Sequence, residues 1–135
     1  MIDYESEIFD GAARAAMADC PGITVTSVDL FAPAEFPAMF MSEMSNSVDT
    51  SRGDFSNVEN AAIVAYDVRT FSNLPLGAKE QAKSIMAAVD AYMESINFTR
   101  TFTSQGKHPN NASIYQVSCR YTASVGSDGK IHRRS

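Results

Sequence analysis

At 135 residues, 44% apolar and 20% charged, the chain has the size and texture of one folded domain, able to bury roughly two-thirds of its unfolded surface. That composition excludes a disordered chain, and no apolar run approaches the ~20 residues that a membrane-crossing helix needs. A net charge of −5 argues against a general nucleic-acid binder, which carries a basic footprint, although a basic patch in the second half alone stays open.

The charge is unevenly spread. Residues 1–75 hold twelve acids and three bases, whereas residues 76–135 hold four acids and eight bases. Such a split serves either solubility or complementary faces, with the basic surface of one subunit meeting the acidic surface of the next.

The acidic start, Met1 to Glu7, is unlike a secretory leader, and the expected location is the cytoplasm or something built there. Residues 3–19 read as an amphipathic helix in which Ile8, Phe9, Ala12, Ala16 and Met17 form one apolar stripe. Acids cluster in its first turns, where the helix dipole favours them, and Cys20-Pro21-Gly22 stops it. Ile23 to Val28 is a short β-rich run and Phe31 to Pro37 a bend. Ala38 to Glu43 then reads as a second strand, which Pro37 places at an edge or a strand end. Residues 44–58 are polar and aperiodic and predict a long loop, of the kind that is functional or disordered.

Asn60 to Phe71 is the clearest long strand, with Ala62, Val64, Tyr66 and Val68 on one face. After a turn at 73–77, Ala78, Ala82, Ile85, Met86, Val89, Tyr92, Met93 and Ile96 share one helical face. Beyond Asn97 the period switches to two. Phe98, Arg100 and Phe102 alternate with threonines, and residues 106–111 read as a loop. Ser113 to Val125 then alternate as a long half-buried strand. Ser127-Asp128-Gly129-Lys130 signals a hairpin, and Ile131-His132 reads as its short return. With no repeat or linker, the expectation is a single α+β domain over 1–135. It has a mostly antiparallel sheet of four to five strands and two helices packed on one face.

Reactive groups do not gather. His108 and His132 lack partners at metal-ligand spacing and read as surface histidines, and no phosphate loop, nucleophile elbow or C-x-x-C occurs. Glu35 with Glu43 is the nearest thing to a carboxylate pair, and solvated acids are the usual meaning of such a pair. Cys20 and Cys119 read as small hydrophobes, Cys119 the more buried. Met39, Met41 and Met44 suit core or interface filling better than metal ligation. The expectation is therefore a non-enzymatic protein with no cofactor, acting through its surfaces.

Several segments carry a family likeness. They are Glu59-Asn60-Ala61, Tyr66-Asp67-Val68-Arg69-Thr70-Phe71-Ser72-Asn73, Gly77-Ala78-Lys79-Glu80-Gln81-Ala82-Lys83, Val89-Asp90 leading to Met93, and Phe98-Thr99-Arg100. Ser113-Ile114-Tyr115-Gln116-Val117 with Arg120-Tyr121-Thr122-Ala123 completes the order, and Phe36-Pro37 and Met41-Ser42-Glu43 also fit. Over roughly residues 30–126 this pattern resembles the tail terminator (neck or tail-completion) proteins of long-tailed bacteriophages, especially those infecting Gram-positive bacteria.

The resemblance implies a homo-oligomer, a hexameric ring that caps the tail tube protein's polymer. The ring would also offer a surface for head joining through a head-closure or connector protein. Phage DNA would pass through the lumen unread, which an acidic lining suits. The protein would be assembled in the host cytoplasm and end in the tail or neck of the virion, with no membrane partner. The interaction candidates are Met44, Asn46, Asp49, Arg52, Asp54 and Phe55 of the polar loop, with Met39, Met41 and the N-terminal acids. The alternatives are a head–tail connector or head-closure protein and, from another class, a small α+β enzyme or ligand-binding domain with a deep polar pocket.

Overall fold

A computed structural model describes residues 4–27, 36–48, 61–108, 111–126 and 130–132. In chain order the elements are α1 (Glu5–Asp19), β1 (Thr24–Thr26), β2 (Ala38–Val48), β3 (Ala61–Ser72), α2 (Ala78–Ser95), β4 (Thr99–His108), β5 (Asn111–Gly126) and β6 (Ile131–His132). The strands form one sheet in the order β1-β2-β3-β5-β4, with β6 paired to β5. Among the described residues only the β1–β2 pair is parallel. This is the α+β fold expected, a mostly antiparallel sheet with both helices against it.

Both helices lie on one face because that face carries the apolar half of each strand. Met39 and Met41 of β2, Val64, Tyr66 and Val68 of β3, and Val117, Cys119 and Tyr121 of β5 pack with Ile85, Met86, Val89 and Met93 of α2 and Ile8, Ala12 and Ala16 of α1. Each large aliphatic or aromatic side chain buried there contributes ~1.5–3 kcal/mol. Within that core Phe98 meets Tyr66 edge to face at a centroid distance of 5.5 Å.

The α1 stripe is rotated from the one read in sequence. Met17 is 45% exposed, and Gly11 and Ala13 are buried instead. The cause is the neighbour: α1 packs against α2, and Gly11 leaves room for the Tyr92 ring. A helix against another helix buries its small residues, so the close approach selects Gly and Ala over the more apolar Met.

Helix α2 ends in a Schellman motif. Asn97 adopts φ 73°, its N–H donates to the Glu94 carbonyl at 3.0 Å, and the Phe98 N–H donates to Met93 at 2.9 Å. The Asn97 side chain also donates to the Ile131 carbonyl at 3.0 Å, joining the helix end to β6.

Two expectations change. Strand β2 does not stop at Glu43 but runs to Val48, because β3 supplies a ladder that the polar side chains conceal in the sequence. Met44 and Asn46 therefore lie in a strand, while residues 49–58 of the expected loop lie outside the described residues. Pro37 marks a strand end, after a cis Phe36–Pro37 peptide, and β2 is flanked by β1 on its other side for Ala38–Phe40. Finally, β4 continues through Gly106 and Lys107 to His108. His108 is only 7% exposed, 6.3 Å from the Phe71 ring, and is not a surface histidine.

Candidate interaction surface

The sheet's two ends are built from different halves of the chain. Every strand after residue 75 lies on one side of β3, since β5 pairs with β3 and β4 pairs outside β5. The lopsided charge of the sequence is thereby carried into the strands, while α2 sets Asp90 and Glu94 beside β4. Strands β4 and β5 contain Arg100, Lys107 and Arg120 and no acidic residue. At the other end α1 packs beside β2 and brings Glu5, Glu7 and Asp10.

Strand β4 is the outermost on its side, and among the described residues it pairs with β5 alone. A bulge interrupts that pairing: Arg100 faces Tyr121, and two residues later Phe102 faces Arg120. Thr101 is the extra residue. Simple alternation would have put Phe102 on the same face as Arg100; the inserted residue sends it to the opposite one. Phe102 is 46% exposed there, with the Arg120 guanidinium 5.1 Å above its ring. Sequence reasoning missed this pair because nothing local signals the bulge.

On the helix face, β4 reaches beyond the cover of α2 and leaves a groove of about 350 Å³. Lys83, Met86, Asp90 and Glu94 of α2 form one wall, and Arg100, Thr103 and Gln105 of β4 form the other. Asp90 ties the walls together: its Oδ1 accepts from the Tyr121 hydroxyl at 2.8 Å and from Arg100 Nη1 at 3.3 Å. Burial, reinforced by the bond to Asp90, pushes the Tyr121 phenol well above its ordinary range. A tyrosine held protonated is poorly suited to act as a base near neutrality. This arrangement is suited to holding strand to helix.

On the face away from the helices, Ala38, Phe40, Phe71 and Ile114 form a second buried cluster, with Phe36 against it. Beside it Arg69 pairs with Asp67 at 2.8 Å and lies 5.4 Å over the Phe40 ring.

The expected interaction residues are dispersed. Met39 and Met41 are fully buried on the helix face, so they fill the core and present no surface. Met44 is the extra residue of a bulge between Glu43 and Ser45 and is 48% exposed. Asn46 is half-buried in β2. Asp49, Arg52, Asp54 and Phe55 lie outside the described residues, as does Glu35. Of the N-terminal acids, Glu5 accepts a hydrogen bond from the Glu43 backbone N–H at 2.7 Å and secures α1 to β2. Glu43 in turn accepts from the Tyr66 hydroxyl at 3.3 Å.

No protein-family model matches the chain, and no curated protein matches it.

Proposed function

We propose that the chain is a structural subunit of a long-tailed bacteriophage neck, a tail terminator whose identical copies form a ring that caps the tail tube and presents an interface to the head. The observation that carries this reading is the resemblance, whose segments coincide with β3, α2, β4 and β5, the elements around which the main core is built. The basic strands β4 and β5 at one end of the sheet and the acids Glu5, Glu7 and Asp10 of α1 at the other support it further. A ring needs a head-to-tail contact between unlike surfaces, and one chain here supplies both signs. An acidic surface toward the lumen would let DNA pass without adhering.

The test is the native mass of the purified protein, together with the length of tail tubes assembled in its presence. A ring that shortens or halts tube growth is the expected result. A protein that stays monomeric at high concentration, with tail-tube protein added, overturns the reading. Binding to filled heads and not to tubes would move it to a head-closure or connector subunit. The groove beside α2 favours the ligand-binding alternative, and a small molecule co-purifying in it would support that reading.

A further inference from the structure

We infer that the β4 edge of one copy docks on the α1–β2 end of a second copy, with Phe102 and its stacked Arg120 as the anchor and Lys107 facing the carboxylates of Glu7 and Asp10. This rests on the ring reading above and says which two surfaces make the contact.

The β4 edge is guarded. An outer strand offers its backbone to any other strand, and proteins suppress indiscriminate pairing with bulges and charged side chains. Strand β4 has both, the bulge at Thr101 and the cation Lys107, whereas Arg100 is already paired with Asp90 of α2. These devices repel another copy's β4 edge through like charge, yet they favour an acidic surface. The described residues place one at the opposite end of the sheet, where Glu7 and Asp10 are exposed on the first turns of α1. Each end also carries an exposed apolar side chain, Phe102 on β4 and Met44 on the β2 bulge. An aromatic ring stacked with arginine is the kind of group that dominates binding at the centre of an interface. Because the two surfaces differ and lie at opposite ends of the sheet, the contact is heterologous, and it closes into a ring or runs on as a filament.

The experiment uses the full chain and reads mass by light scattering over a concentration series at low and high salt. The wild type is expected to be oligomeric and to dissociate as salt rises. Lys107→Glu, Phe102→Ser and the double variant Glu7→Lys/Asp10→Lys should each raise the dissociation constant by about 100-fold or more. All replace exposed side chains, and an unchanged thermal melt of the monomer confirms that each remains folded. Mixing Lys107→Glu with Glu7→Lys/Asp10→Lys should restore the oligomer, since every contact then joins opposite charges. An oligomeric wild type whose variants assemble as well as it does would sink the edge assignment and leave the ring standing. A wild type that is monomeric throughout removes both.

Discussion

Gly11 of α1 and the Tyr92 ring of α2 occupy adjoining space so closely that a Cβ at position 11 would overlap the tyrosine's hydroxyl and ring carbons. The two helices approach at this point, and the glycine is what lets them do so. Gly11→Ala should therefore destabilise the protein by about 1–3 kcal/mol, despite alanine's better helix propensity. Adding Tyr92→Ala should recover part of that loss, because the overlap is then gone. A double-mutant cycle by urea denaturation measures this coupling; strict additivity would show that the helices adjust without cost.

Neighbouring methionines on β2 should respond oppositely to truncation. Met41→Ala removes a fully buried side chain and should cost about 2–5 kcal/mol. Met44→Ala removes an exposed side chain on a bulge and should stay within about 0.5 kcal/mol. Equal effects would mean that Met44 is as deeply packed as Met41.

Stability should fall in alkali through Tyr121. Its folded-state pKa lies above the unfolded value of about 10, so the native protein keeps the proton where the unfolded chain gives it up. The stabilisation is complete below about pH 10 and shrinks as pH rises beyond it. By pH 11 the wild type should have lost roughly 1 kcal/mol more than Tyr121→Phe, which has no phenol to ionise. Tyr92 is also shifted upward by burial, with Arg14 opposing, but it is common to both proteins and cancels. Denaturation curves at pH 8 and pH 11 supply the four values needed.

The helix terminus at Asn97 should tolerate glycine better than alanine. A left-handed backbone costs an alanine roughly 1–2 kcal/mol and a glycine little. Both substitutions lose the side-chain bond to Ile131, so their difference reports the backbone alone. Thermal melts of the two variants, compared at equal concentration, provide the check.

Periodicity alone determined much of this molecule. The apolar spacing of α2 and the alternations of β3 and β5 are strong local signals, and each element lies where its pattern falls. Composition likewise carried the charge split. Four things came only from the tertiary structure. The polar half of β2 is a strand because β3 lies beside it. His108 is buried because β4 continues past Gly106, and Phe102 meets Arg120 because Thr101 is inserted in the ladder. Strand order placed both basic strands, β4 and β5, on one side of β3. Local periodicity reports which face of an element is apolar, whereas register and neighbour choice depend on pairing between residues far apart in the chain, which no local window contains.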